Sequence, residues 1–176
     1  MLAAAAGRPV VLELKTAPVR SAQVLVERLL MLHGAGLPLD VTVSSFDASL
    51  VRAVRTLAPA QLGVRTALLG DVGCLATAVL RRAVLGGHDQ GHPHITDLLA
   101  HPETVAAAHE AGVAVVPWTV NRPKDLRRCA LLGVQAVITD VPREARLALA
   151  ARSANGFRRP VTAREVAARL TFPPGR

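Results

Sequence analysis

Short apolar runs alternate along this chain with stretches whose hydrophobic positions recur at helical spacing. Val10–Lys15 ("VVLELK") reads as a strand. Ser21–His33 reads as a helix, with Val24, Leu25, Leu29 and Leu32 near a 3.6-residue period. Val41–Phe46 is a second strand. Asp47–Leu57 is a helix with Asp47 in the N-cap position. Arg65–Gly70 is a short strand and Cys74–Leu85 an apolar helix. "GGHDQGHPH", Gly86–His94, is the most turn-like segment. Ile95–Leu99 reads as a short strand or an extended connection. A helix over Glu103–Ala111 ends at Gly112, as suits a C′ glycine. Val113–Val120 is a strand. Pro123–Leu132 is a helix with Pro in its first turn and Gly133 after it. Ala136–Thr139 is a strand and Pro142–Arg152 a helix. Beyond Ser153 the chain is looser, and "TAREVAARL" forms a last helix with Thr162 and Glu165 as a capping box.

The rhythm is βαβαβα, with strands too apolar to leave a face in water, so a parallel sheet covered by helices is expected. No GxGxxG follows any strand, which removes the support a dinucleotide site would give to a doubly wound sheet. Polar residues recur instead at the C-terminal ends of strands: Glu13 and Lys15, Ser44 and Ser45, Trp118 and Asn121, Thr139 and Asp140. In a (β/α)8 barrel that rim carries the active site. The rim pattern favours a (β/α) barrel over a doubly wound sheet, with residues 1–150 as the barrel domain and residues 151–176 as a basic tail with a short helix.

With 176 residues, 51% of them hydrophobic, the chain supports one domain with a core. Aromatic residues are only 2%, so Val, Leu and Ala must fill that core. The net charge of +8 raises nucleic acid, anionic lipid or a phosphate-bearing substrate as partners. The arginines are scattered and no aromatics interleave with them, so solvated helix faces are the better account and no nucleic acid is expected. Cys74 and Cys129 lack CxxC spacing and read as buried hydrophobes or incidental thiols. No apolar stretch is long enough to span a membrane, and the start lacks the charged segment of a signal peptide. A cytoplasmic location is the expectation.

Side chains in a strand alternate, so Glu13 and Lys15 share a face. A carboxylate is a hard oxygen ligand for Mg²⁺ or Ca²⁺, and a Lys beside it can hold a phosphate oxygen. A simple ion pair at a strand end is the alternative. Ser44 and Ser45 fit a strand–helix turn better than a ligand site. Trp118, the only Trp, could wall a pocket; Asn121 could bind a ligand or make an Asx turn. His88, His92 and His94 suggest a metal or acid/base site, but a surface loop is the better reading of that segment.

Taken in order, "VVLELK", "VTVSSFD", "AAHEAGVAVVPWTVN" and "GVQAVITDVP" resemble the glycerophosphodiester phosphodiesterase family over residues 5–145. The resemblance implies a (β/α)8 barrel that hydrolyses glycerophosphodiesters to glycerol 3-phosphate and an alcohol, using a divalent metal, Mg or Ca. On it, Glu13 matches a metal-binding carboxylate, Lys15 the phosphate-side lysine of an E-x-K strand, and Trp118 a residue lining the substrate side. No catalytic residue is carried over. The family's His-Arg-Gly strand, its E-x-D strand and the following His-Asp pair, which supply the acid/base histidines and other ligands, have no counterpart here. His88–Asp89 spells the right dipeptide in the wrong place. The resemblance thus implies an α/β, incomplete (β/α)8 TIM barrel, of which the chain holds about the last five strands, with Met1–Gly7 ending a preceding helix.

Three readings follow: the C-terminal part of such an enzyme, inactive or nearly so by itself; a non-catalytic half-barrel that self-associates or takes a partner through an open strand edge; and a basic nucleic-acid-binding protein using the tail helix.

Overall fold

The computed structural model describes residues 7–15 and 18–153, with side chains described through Leu147. Five strands form one sheet: β1 (Val10–Glu13), β2 (Val41–Ser45), β3 (Arg65–Leu69), β4 (Gln90–His92) and β5 (Ala114–Val115). All neighbours are parallel and the spatial order is the chain order. The connections run through α1 (Arg20–Gly34), α2 (Ala48–Leu57), α3 (Ala76–Leu85), and the pair α4 (Ile95–Ala100) and α5 (Thr104–Glu110). After β5 come α6 (Pro123–Leu132) and α7 (Pro142–Ser153). Right-handed crossovers between strands that never reverse order place every crossover helix on one face. This is the winding of a (β/α) barrel segment, not of a doubly wound sheet.

The two faces differ in chemistry. Leu12 and Leu14 pack with Ala22, Val26 and Leu29 of α1 and with Val41 and Val43 of β2. Leu68 and Val115 join a second cluster with Leu80, Leu98, Val105 and Leu126. These residues face the helices, and removing them from water drives the docking of the helical layer. The alternate positions, Glu13, Ser44, Arg65, Ala67, Gln90 and His92, therefore face the other, inner side. That side is less apolar than the strand sequences suggest. Arg65 pairs with Asp40, and its Nε donates to Thr42 Oγ1 at 3.2 Å. His92 Nε2 meets Gln90 Oε1 at 2.8 Å. His92 is fully buried, and its Nδ1 lacks a hydrogen-bond partner.

Several elements depart from the sequence reading. The Gly86–His94 segment is no surface loop. Its centre is β4, paired on both sides, and His88 and His92 are buried. Glycine there serves close packing: a Cβ on Gly91 would lie 2.5 Å from Leu80 Cδ2. Ile95–Ala100 is helical, not extended. The His94 side chain caps it by accepting from the Thr96 amide, and Ile95 and Leu98 are buried one turn apart. Ala136–Thr139 makes no strand. It runs beside the end of β5 through two bonds, Ile138 N to Pro117 O and Val120 N to Ile138 O, both 2.9 Å. On α1 the buried residues are Ala22, Val26 and Leu29, while Val24 faces water. Cys74 is exposed in the turn before α3, and Cys129 is buried, its thiol pushed up to about 11 by desolvation. The Thr162–Glu165 capping box and the tail helix lie outside the described residues.

Candidate active site

The inner face leads upward to the C-terminal ends of the strands, where the polar residues collect. Glu13 closes β1, in register with Ser44 of β2. Because Leu12 and Leu14 are held against α1, the Glu13 carboxylate must point inward. Lys15 Nζ donates to Glu13 Oε1 at 2.8 Å. The Lys15 side chain is 80% exposed and that of Glu13 30%. Such a pair adds little to stability, because water solvates both ends well without it. The ammonium is therefore available to an arriving anion.

The neighbouring strand end is structural. Ser45 Oγ donates to Leu14 O at 2.6 Å and accepts from Asp47 N at 3.1 Å, tying the end of β2 to the end of β1. Asp47 caps α2, accepting from Ser49 N at 2.7 Å and Ser49 Oγ at 2.6 Å. Those two bonds hold its carboxyl below the ordinary carboxylate value.

Trp118 builds the opposite side of the rim. Its Nε1 donates to Gly70 O at 3.1 Å and His92 O at 3.0 Å. The indole thus crosses from the end of β5 over the ends of β4 and β3. It meets Phe46, just past β2, edge-on with ring centroids 5.5 Å apart. His94 approaches it edge-on at 5.1 Å. His94 Nδ1 lies 3.6 Å from Asp97 Oδ2, and Asp97 in turn accepts from Gly73 N at 3.2 Å. An aromatic wall therefore spans four strand ends, which the sequence indicated only through Trp118.

The three histidines of the Gly-rich segment part company. His92 and His94 follow the inner face and its rim. His88 sits on the helix side, its Nδ1 3.2 Å from Thr66 Oγ1, which in turn donates to Asp89 Oδ2 at 3.0 Å. Burial and the nearby Arg55 push the His88 imidazole below its ordinary value. Asp89 also accepts from Thr66 N at 2.8 Å and pairs with Arg55 at 3.6 Å. His88 and Asp89 thus serve a structural knot near the start of β3.

Asn121 is a clip. Its Oδ1 accepts from Thr139 Oγ1 at 3.1 Å and Asp140 N at 3.0 Å, and its Nδ2 donates to Asp140 at 2.8 Å. It joins the β5–α6 connection to the 139–141 segment, with both bonds to its Oδ1 and one of its two Nδ2 hydrogens used there.

The described residues do not by themselves fit a Mg²⁺ or Ca²⁺ ion. Glu13 offers one carboxylate, already engaged by Lys15, and these ions take six or more oxygens. Among the described residues no three His, Cys, Asp or Glu side chains are grouped to hold one. No described helix is long and apolar enough to cross a membrane.

The sequence profile of the glycerophosphoryl diester phosphodiesterase family matches residues 13–144. A glycerophosphodiester phosphodiesterase of Caldanaerobacter subterraneus subsp. tengcongensis is 32% identical over 104 residues, 58% of this chain and 39% of that protein. Among solved structures, a glycerophosphoryl diester phosphodiesterase assignment from Silicibacter pomeroyi superposes with a TM-score of 0.70 at 28% identity. That match covers 86% of this chain and 55% of the other. An Oleispira antarctica phosphodiesterase, solved with sn-glycerol-3-phosphate, shares the fold with a TM-score of 0.64 at 19% identity. It covers 82% of this chain and 56% of that one. The chain spans about half the length of these solved relatives and less of the sequence relative. With the profile covering most of the residues described, from Glu13 at the end of β1 into α7, this chain belongs to the glycerophosphoryl diester phosphodiesterase family.

Proposed function

We propose that this chain carries part of a site for metal-assisted hydrolysis of glycerophosphodiesters, which yields glycerol 3-phosphate and an alcohol. The observation that carries the reading is the Glu13–Lys15 pair, turned to the inner face at the C-terminal end of β1 in a chain of this family. Lys15 would bind the phosphoryl oxygens and offset the charge that grows on them in the transition state. Glu13 would supply one oxygen ligand to a divalent cation, which would need further ligands than the described residues group together. Trp118 would pack against the glycerol side. The aromatic wall supports this, since it presents an apolar surface at the strand ends where ligands of such barrels bind.

The purified 176-residue chain is expected to bind glycerol 3-phosphate and to hydrolyse glycerophosphodiesters very slowly. Glu13 is one ligand of several needed, and losing a general acid or base costs roughly 10²–10⁴-fold each. Lys15→Ala should weaken glycerol 3-phosphate binding about tenfold, the scale of one charge-assisted hydrogen bond. Its denaturation midpoint should not move, since the ion pair is exposed. Calorimetric titration decides the first point. Equal affinity of both proteins would remove Lys15 from the site, and brisk metal-dependent release of glycerol 3-phosphate by the chain would refute the expectation of near-inactivity.

A second reading is a non-catalytic half-barrel that associates through its sheet edge. Among the described residues β1 pairs with β2 alone, and Val11 on that strand is 49% exposed. An apolar strand with unpaired backbone groups invites another strand. If so, the chain sediments as a dimer and Val11→Lys yields a monomer. A monomeric parent protein would rule this out.

A further inference from the structure

We propose that His94 is an additional substrate-binding residue of this site, its Nε2 hydrogen-bonding a hydroxyl of the glycerol moiety. The proposal rests on the phosphodiesterase reading above and adds a residue to it.

Three contacts fix the imidazole. Its ring stands edge-on to Trp118, with centroids 5.1 Å apart and planes at 75°. Its Nδ1 accepts from the Thr96 amide at 3.4 Å. The same nitrogen faces Asp97 Oδ2 at 3.6 Å. The Thr96 amide and the Asp97 carboxylate both face Nδ1, which leaves Nε2 as the uncommitted nitrogen. It makes no hydrogen bond within the described residues, and the side chain is 19% exposed. The result is a ring nitrogen open to a ligand beside Trp118, with the other nitrogen already committed.

Its position selects the ligand group. His94 lies beyond β4, three strands from the Glu13–Lys15 pair on β1. A phosphoryl group held at Lys15 leaves the far end of the substrate for His94. That end carries hydroxyls, which accept hydrogen bonds, and a carbon chain that packs against an indole.

Trp118 is the only Trp and there is no Tyr, so intrinsic fluorescence reports on this wall alone. The test is to titrate the full chain, and its His94→Phe and His94→Gln variants, with glycerol 3-phosphate and separately with inorganic phosphate. Phe keeps an aromatic edge against Trp118 without a donor; Gln restores a donor. The expected result is about a tenfold weaker affinity of His94→Phe for glycerol 3-phosphate, matching one hydrogen bond. Inorganic phosphate should bind that variant as it binds the parent, and His94→Gln should recover most of the loss. If both ligands bind the parent and His94→Phe alters neither, or weakens both alike, the role of His94 is overturned while the phosphodiesterase reading stands. If the parent binds neither ligand, that reading fails and the role of His94 with it.

Discussion

Replacing Gly70 by Ala should destabilise the fold by about 3 kcal/mol, the upper end of the usual range for overpacking a core. A Cβ at Gly70 would stand 2.2 Å from Val79 Cγ2, with Val79 Cγ1 at 3.1 Å and Val79 Cβ at 3.2 Å. Val79 is buried in α3, and a β-branched side chain in a helix has essentially one χ1 rotamer. It cannot swing away, so α3 must shift from the sheet. Gly70 also holds the rim: its amide donates to His92 O at 3.0 Å and its carbonyl accepts from Trp118 Nε1. Trp118 emission should therefore change together with stability. Urea denaturation gives the measure, as a lower midpoint at nearly unchanged slope. Gly34→Ala is the control. A Cβ there meets nothing within 4 Å, so that variant should be neutral or slightly more stable. Equal midpoints for the Gly70 variant and the parent would show that the close approach to α3 is not a constraint.

The second large effect is the loss of stability in acid. Desolvation lowers the fully buried His92 from the ordinary 6.5 to about 4. The unfolded chain therefore binds this proton at a pH where the folded chain does not. Stability from this group is complete above pH 6.5 and falls as pH drops toward 4. The loss is about 3 kcal/mol over that window. His88 is shifted the same way and adds to the same slope. Asp47, whose value is lowered, acts separately, losing its contribution only as pH falls below the ordinary 3.8. Denaturation midpoints between pH 7 and 4 test this. His92→Leu removes the titrating group and should flatten most of the slope, whatever it does to stability at pH 7. The same slope in parent and variant would mean that the acid sensitivity arises elsewhere.

The sequence by itself determined the winding of the fold and the pairing at one end of the candidate site. The alternation of apolar strands with amphipathic helices required a parallel sheet, because only strands buried on both faces can be so apolar. "VVLELK" placed Glu13 and Lys15 on one face through the two-residue period of a strand, and the ion pair found there follows from that period. Asp47 was legible as a cap because capping depends on neighbours two or three residues away. What only the tertiary structure decided involves partners far along the chain. "HDQGH" has the composition of a turn, yet it becomes β4 because β3 and β5 flank it and Leu80 needs the space a side chain at Gly91 would fill. Ala136–Thr139 has the composition of a strand, yet its bonds to the 117–120 segment do not extend into a ladder. Asn121 reads equally as a ligand contact or a turn residue, and only the fold shows it bonded to Thr139 and Asp140. The aromatic wall could not be read at all, since Phe46, His94 and Trp118 come from three separate strand ends. Local periodicity is written in adjacent residues, but the use of a side chain depends on which distant backbone closes over it.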